Sequence, residues 1–385
     1  TLEGQKKYPE AIAAFTKATE LRENFSAAFS NMANVFVTMK SFGAAIDAYR
    51  KALDINPEAA GAEAAMYYQM RYACDWSGFD RMEARASKMG MGEHEMAPFT
   101  MLALEDHPER QRQRSEYYTR DIALNLTPKV HARPAAPKDR LRIGYFSADY
   151  KRHPCLYLIM GLLRAHDRNR VEVHAFSYGE DKSGDLRAQA VETVDHFHDI
   201  EGLSDQDFLA FAHDKEIDIA VDLMGYTQNA RLEVFEGRLA PIQMSYVGYP
   251  GTTGAPYIDY LVGDPTVIAP AHRQAYSESI LYMPNTYLPN DNQLPIADKP
   301  TTRADFGLPE DSFVLCCFNS NYKITPREFD IWMRVLAKVD NAVLWTLKSN
   351  DLCETNLRRE AAARGVDPDR IIVGKKTSHA QHMAR

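Results

Sequence analysis

The chain has 385 residues, 45% of them hydrophobic and 25% charged, with a net charge of −8. That length holds two or three domains whose cores need no disulfides. The acidic balance argues against a nucleic-acid binder, which would carry a basic footprint to neutralise phosphates. Cys74, Cys155, Cys316, Cys317 and Cys353 are odd in number and contain no CxxC pair. They fit neither a disulfide framework nor a zinc site, so a reducing compartment is expected. No run of about 18 apolar residues is present, and no membrane span is expected. No signal peptide is read, although Thr1 rather than Met opens the chain. The expected location is the cytoplasm, with the nucleus added for a eukaryotic source.

An internal repeat comes first. Tyr8, Ala11, Ile12, Phe15, Lys17, Ala18 and Leu21 recur 34 residues later as Phe42, Ala45, Ile46, Tyr49, Lys51, Ala52 and Ile55. This is the tetratricopeptide period. The alanines let two helices approach, and the larger residues fill the space between them. Asn56-Pro57 ends the second of these helices. Residues 28–34 read as the first helix of the second repeat. The matching helix of the first repeat does not precede it, so the chain is expected to begin in mid-repeat with more solenoid upstream. A solenoid offers a concave surface to protein or peptide; a plain scaffold is the alternative reading. From Glu58 to about Leu126 the pattern stays helical, with Met66, Met70, Cys74, Phe99, Leu102 and Leu104 on irregular amphipathic helices. Pro128, Pro134 and Pro137 mark an extended linker.

At Arg140 the texture changes. Residues 141–147 form a buried-strand pattern, followed by short apolar runs at 171–176, 217–223, 242–246 and 261–263. Helical stretches at 157–166 and 205–213 separate some of them. Strands alternating with helices predict a parallel, doubly wound sheet with ligands at the carboxyl ends of its strands. After Pro300 the unit restarts, with strands at 312–318, 342–347 and 370–373 and helices at 327–339 and 352–364. Three strands do not complete a Rossmann-like domain, so the second lobe is expected to be truncated, with an exposed sheet edge. The expected division is 1–60 for the repeats, 61–138 for a helical transition region and linker, 139–300 for the first lobe and 301–385 for the second.

Several loops carry candidate chemistry. His153, in the loop after the first strand, could act as acid, base or hydrogen-bond donor near neutral pH. A single loop histidine is nonetheless more often structural or solvated. Gly225 would let the backbone turn sharply. Tyr226 and Thr227 offer hydroxyls beside it, and a tight turn with no further role fits equally well. The loop 248–254 is glycine-rich but lacks the GxGxxG and GxxxxGK[ST] spacings. It reads as a rigid loop lining a cleft. Lys323, after the first strand of the second lobe, could stabilise a leaving diphosphate, or be a plain surface lysine. Cys316 and Cys317 read as packing residues on opposite faces of a strand. His379 and His382 share a helix face by spacing. No third ligand accompanies them, so a metal is discounted.

Taken in order, these segments resemble the O-linked N-acetylglucosamine transferase family, with its bacterial members and plant SPINDLY-type relatives. The resemblance rests on the repeats, Cys74-Asp75-Trp76, Arg142-Ile143-Gly144-Tyr145 with His153-Pro154, and Gly225-Tyr226-Thr227. It continues through Ala240-Pro241-Ile242-Gln243 into the loop from Gly248 to Gly254, and ends with Tyr322-Lys323-Ile324. It implies a tetratricopeptide α-solenoid followed by a GT-B region of two facing Rossmann-like lobes. It also implies an inverting transfer without metal or other cofactor, from UDP-N-acetylglucosamine to serine or threonine hydroxyls of protein acceptors bound by the repeats. His153 then matches the family's active-site histidine and Lys323 the lysine on the diphosphate. The implied donor contacts are Ser320, Tyr322, Lys323 and His382, the last packing on the uracil. Tyr226, Thr227, Tyr249, Pro250, Gly251 and Thr252 would line the acceptor side, and Asn31 matches the asparagine ladder that grips peptide backbone. Ser320 departs from the glutamine of the animal enzymes. The family's threonine-rich phosphate loop and ribose-binding acid are expected beyond Arg385, so this stretch alone is expected to bind donor poorly. The rival readings are fucosyl transfer from GDP-fucose, protein N-glucosyl transfer, and a non-catalytic repeat scaffold.

Overall fold

The repeat of apolar positions is realised as helices of equal length. In the computed structural model α1 (Tyr8–Leu21) and α3 (Phe42–Ile55) begin and end 34 residues apart. Helix α2 (Ser26–Thr38) packs against both. The residues described are 6–92, 96–131, 138–299 and 301–385; Pro134 and Pro137 of the expected linker, and Pro300, lie outside them. Ala11, Ala28, Ala33, Ala45, Ala48 and Ala52 are all buried, which brings the helix backbones close. The Ser26 hydroxyl donates to the Ala52 carbonyl at 2.8 Å. The Tyr49 hydroxyl donates to Asn34 Oδ1 at 2.5 Å. Helices α4 (Ala60–Tyr72) and α5 (Phe79–Ala86) follow, and Tyr72 stacks on Phe42 with ring centroids 5.6 Å apart.

Residue contacts gather the chain into two units. One comprises Thr1–Met89, Ala103–Glu105 and Pro295–Arg385; the other comprises Gly90–Leu102 and Asp106–Leu294. The segment 61–138 is thus shared between them. Helix α6 (Pro98–Leu104) crosses the division, and α7 (Pro108–Asp121) belongs to the second unit.

The second unit is built on a parallel sheet. Its strands are β1 (Leu141–Ser147), β2 (Val171–Ser177), β3 (His196–Asp199), β4 (Ile219–Asp222), β5 (Ile242–Ser245), β6 (Tyr260–Gly263) and β7 (Ser279–Tyr282). Their order is β3-β2-β1-β4-β5-β6-β7 among the described residues. Helices α8 (Pro154–Ala165), α9 (Asp185–Thr193) and α10 (Asp205–Asp214) make the crossovers. Side chains alternate between two apolar layers. Phe146, Phe176, Phe208 and Phe235 fill one, with Phe146 stacked on Phe176 at 4.2 Å. Tyr145, Val173, Ala175, Leu156, Ile159 and Leu163 fill the other. Two strands, β3 and β7, escape the apolar-run reading. Each is four residues long and pairs on one side only, and the sequence of β3 is His-Phe-His-Asp.

The sheet of the first unit has β8 (Phe313–Cys317), β9 (Ala342–Leu347) and β10 (Ile371–Gly374) in the order β10-β9-β8, again parallel. Helices α11 (Pro326–Lys338), α12 (Asp351–Ala363) and the short α13 (His379–Ala384) accompany it. The turn after α4 is part of this core. Cys74 and Trp76 are buried with Ile324, Phe329, Leu336, Leu344, Cys353 and Leu357. The expectation that both Cys316 and Cys317 pack needs correcting. Among the described residues β8 is an outer strand, and Cys316 is exposed while Cys317 is half-buried. No helix of the described residues is long and apolar enough to cross a membrane.

The small-residue packing of the repeat has a direct consequence. Ala45, with no exposed surface, leaves no room for a larger side chain. Ala45→Leu is expected to destabilise the chain by about 1–3 kcal/mol through overpacking, read as a lower urea midpoint. An unchanged midpoint would mean that α2 and α3 do not pack as described.

Candidate functional site

In an open parallel sheet the ligand crevice lies at the carboxyl ends of the strands, where the strand order reverses. In the second unit that point falls between β1 and β4. The loops that leave it are 148–153 after β1 and 223–227 after β4, with 246–254 after the neighbouring β5.

His153 caps the N-terminus of α8, with Pro154 in the first helical position. Its Nδ1 lies 3.4 Å from the Cys155 amide and 3.1 Å from Asp149 Oδ2. An unprotonated Nδ1 accepts from the amide; a protonated Nδ1 donates to the carboxylate. In both states Nε2 forms no hydrogen bond to a described residue. Burial lowers the His153 pKa, the Asp149 charge opposes that shift, and Lys151 adds to it. Asp149 is itself buried, with Lys151 Nζ at 3.4 Å.

The loop after β4 turns on a buried carboxylate. Asp222 is fully buried and accepts from the amides of Met224 at 3.1 Å and Gly225 at 2.6 Å. Burial pushes its pKa up to about 7, against the pull of those two amides. Gly225 has φ +54, and a Cβ there would fall 2.3 Å from Tyr249 Cβ. Tyr226 is buried edge-on against Tyr249, ring centroids 5.5 Å apart. Its hydroxyl meets that of Thr119 on α7, and both reach the Thr253 carbonyl, at 2.6 and 3.0 Å respectively. The Thr227 hydroxyl donates back to the Met224 carbonyl at 2.9 Å.

The glycine-rich loop is pinned from beneath. The buried Glu278 accepts from the Thr252 hydroxyl at 2.6 Å, the Thr253 amide at 2.6 Å and the Thr253 hydroxyl. Gly254 has φ +65 and passes so close to α7 that a Cβ would lie 2.4 Å from the Glu116 nitrogen. Val247, a β-branched residue, holds φ 67, a left-handed conformation such residues rarely adopt. Tyr249, Gly251 and Thr252 are therefore framework, and Pro250 is the exposed member of the loop.

In the first unit, Lys323 ends a single turn, Asn321–Lys323, that follows β8 and leads into α11. It is exposed and pairs with no carboxylate among the described residues; its Nζ stands 5.8 Å from the centroid of the Tyr322 ring. The turn beneath it is tightly held. Arg71 Nε donates to the Tyr322 carbonyl at 3.0 Å. The Tyr322 ring packs on Tyr68 and Tyr72 at 5.4 and 5.0 Å. Asn321 is buried and its amide contacts Cys353 Sγ, which lies 3.5 Å from Cys74 Sγ. Ser320 is exposed, and its carbonyl accepts from the Lys323 amide at 3.0 Å. On α13 the His382 ring lies 5.5 Å from Phe318, and its Nδ1 accepts from Arg385 at 2.8 Å. Burial, then the Arg385 charge, lower the His382 pKa. Asn31 is exposed on α2. The structure thus groups His153 with Tyr226, Thr227 and Tyr249–Thr252 in one unit, and Ser320, Tyr322, Lys323 and His382 with Asn31 in the other. Sequence reasoning missed Asp149, Asp222, Glu278, Arg71 and Asn321. Asp149 stands four residues before His153, and Asp222 two and three residues before the amides it binds, so both were findable; the partners of Glu278, Arg71 and Asn321 are set by the fold.

The sequence pattern of glycosyl transferase family 41 matches residues 122–297 and 292–385, and a tetratricopeptide repeat matches 26–58. The chain belongs to glycosyl transferase family 41. It is 38% identical over 252 residues to an Arabidopsis thaliana protein named as a probable UDP-N-acetylglucosamine–peptide N-acetylglucosaminyltransferase, SEC, covering 64% of this chain and 26% of that one. It is 25% identical over 377 residues to the Caenorhabditis elegans UDP-N-acetylglucosamine–peptide N-acetylglucosaminyltransferase, covering 68% of this chain and 33% of the relative. The chain therefore spans a third or less of these two relatives. The O-GlcNAc transferase of Thermobaculum terrenum superposes with a TM-score of 0.73 at 24% identity, over 96% of this chain and 71% of that one. This family 41 chain thus has the expected fold, a tetratricopeptide solenoid with a GT-B glycosyltransferase region of Rossmann-like sheets.

Two outcomes follow from the electrostatics of this family 41 site. Asp149→Asn removes the charge that favours the imidazolium, so the His153 pKa is expected to fall further, as read by an NMR titration of its ring protons. A pKa that stays or rises would uncouple the two residues. Asp222 holds its proton to about pH 7 in the folded chain and to roughly 3.9 when unfolded. Its contribution to stability is therefore complete below about pH 4 and is lost as pH rises through about 7. In urea midpoint, wild type should lose ground to Asp222→Asn from about pH 4 to about pH 7 and level off above that; a difference constant across that window would contradict the protonated state.

Proposed function

We propose that this chain carries the catalytic region of a protein O-GlcNAc transferase, which moves N-acetylglucosamine from UDP-GlcNAc to serine or threonine hydroxyls of proteins. The observation that carries this reading is the family match across residues 122–385, together with relatives named for that donor and for peptide acceptors. The residues supply suitable chemistry. In a single inverting displacement the acceptor oxygen attacks the anomeric carbon as the bond to the diphosphate oxygen breaks, and the electron pair leaves with the diphosphate. A fixed cation that meets this growing charge accelerates the step. Lys323 suits that role, being exposed, without a carboxylate partner among the described residues, and set on a braced turn. With a lysine in this place the proposed transfer runs without a metal. His153 Nε2 is the candidate acceptor for the hydroxyl proton when Asp149 holds the proton on Nδ1. Ser320, Tyr322 and His382 are the proposed donor contacts, with His382 on the uracil. Thr227 and Pro250 are the accessible part of the proposed acceptor side. Asn31, exposed on α2, is the proposed contact of the repeats with acceptor backbone.

The test is transfer by the full-length protein with UDP-GlcNAc, UDP-glucose and GDP-fucose offered side by side, followed by mass spectrometry of a mixed protein acceptor. Hexosamine on serine or threonine is the expected product; deoxyhexose would overturn the donor assignment. Lys323→Ala is expected to cut transfer by about 10²-fold or more, the scale of losing one stabilising group at a developing anion, with an unchanged far-UV spectrum. Near-normal turnover by that variant would remove Lys323 from the reaction.

A further inference from the structure

At the outer edge of the larger sheet, β2 and β3 pair in register, with His174 opposite His196 and Phe176 opposite His198. Paired residues of neighbouring parallel strands point to the same face, as do alternate residues along one strand. Glu172, His174, His196 and His198 therefore crowd one patch. The His174 and His196 rings are 4.5 Å apart. Glu172 Oε1 lies 2.9 Å from His174 Nε2 and 3.3 Å from His196 Nε2. We propose that this patch binds a divalent transition ion of the zinc class, with Glu172 Oε1, His174 Nε2 and His196 Nε2 as its protein ligands.

The geometry fits such an ion. Ligand bonds of about 2.0–2.2 Å in a tetrahedron separate the ligand atoms by about 3.3–3.6 Å. The 3.3 Å spacing above falls at the lower end of that range and the 2.9 Å spacing just below it, so a small opening of the Glu172–His174 pair admits the ion, and the three ligand atoms all lie within 4.8 Å of one another. Two imidazoles and a carboxylate suit zinc, with remaining positions open to water. The approach is open, since the His196 side chain is 50% exposed while His174 is 5% exposed.

An outer partner is already in place. His174 Nδ1 lies 3.0 Å from His198 Nε2. A proton on Nδ1, donated to His198, leaves the Nε2 lone pair directed at the ion position, the arrangement that fixes the tautomer of metal-bound histidines. Without an ion the same atoms form a relay in which His198 donates to His174 and His174 Nε2–H donates to Glu172. Binding thus moves the His174 proton from Nε2 to Nδ1 and the His198 proton from Nε2 to Nδ1, and neither ring loses a proton. Two cations oppose the site. Arg140 and Arg142 stand 3.8 and 3.7 Å from the Glu172 oxygens, beyond hydrogen-bond length, and both are partly exposed and able to withdraw.

The patch lies towards the amino ends of β2 and β3, the opposite end of those strands from the carboxyl edge that leads to His153. The inference therefore does not rest on the proposed transferase activity. A bound ion would clamp the short edge strand β3 to β2.

The test is calorimetric titration of the untagged full chain with zinc chloride, with absorption of the cobalt(II) form alongside. One equivalent is expected to bind, with a higher Tm. His196→Ala, at an exposed position, and Glu172→Gln, which keeps shape, should each weaken binding at least tenfold. Cys155→Ala should leave binding unchanged, and the cobalt spectrum should lack a sulfur charge-transfer band. Failure to bind zinc, undiminished binding in both His196→Ala and Glu172→Gln, or a sulfur band accounting for the bound cobalt would overturn the site.

Discussion

A hydrogen bond that spans 251 residues of chain, from the Arg71 guanidinium to the Tyr322 carbonyl, underlies the placement of Lys323. Arg71 is 5% exposed, and a buried cation must find compensation where it sits. The Tyr322 carbonyl provides it directly, while Glu328 and Glu83 lend charge from further off. The carbonyl is tied down, and the next residue, Lys323, is exposed. Tyr68 and Tyr72 close over Tyr322, and Cys74 and Cys353 close over Asn321. An exposed ammonium on a four-carbon stem would otherwise sample many positions. Here the freedom left to it lies in the side chain, not in the backbone that carries it.

The larger sheet reaches a similar result by different means. Its three site loops are each organised around a buried acid. Asp149 orients His153, Asp222 gathers two amides, and Glu278 binds two threonines of the glycine-rich loop. Helix α7 closes the set through Thr119, which joins Tyr226 to Thr253. Interactions of this kind cost desolvation and return precise loop geometry. The left-handed Val247 belongs to the same pattern, since the surrounding contacts hold a conformation that the residue would not choose alone.

Much of this was legible in the sequence because it repeats or alternates. The 34-residue period placed α1 and α3 to the residue, and short, largely apolar runs located β1, β2, β4, β5 and β9. The carboxyl-end rule then pointed to His153, Tyr226 and Lys323 by position. What stayed hidden depends on distance in space. Glu278 supports a loop 25 residues earlier in the chain, and Arg71 supports a turn from another part of it. No local spacing encodes either. Strand β3 was obscured by its polar sequence, the same histidines that make its edge chemically interesting. Cys316 looked like core because its neighbours are apolar, yet an outer strand leaves that side chain exposed.

The docking of α4 on the Asn321–Lys323 turn also bears on modularity. Repeat arrays are commonly treated as interchangeable adaptors, joined to a catalytic body through a neutral hinge. In this chain the helices divide at Asn56-Pro57 into two kinds. Those before it pack mainly on each other, whereas the helix after it carries Tyr68, Arg71 and Tyr72, with Cys74 close behind, into contact with the lysine turn. Recombination before the proline would exchange one adaptor for another. Recombination after α4 would exchange part of the support of the Lys323 turn itself, so the boundary of inheritance runs through the helical array rather than at its end.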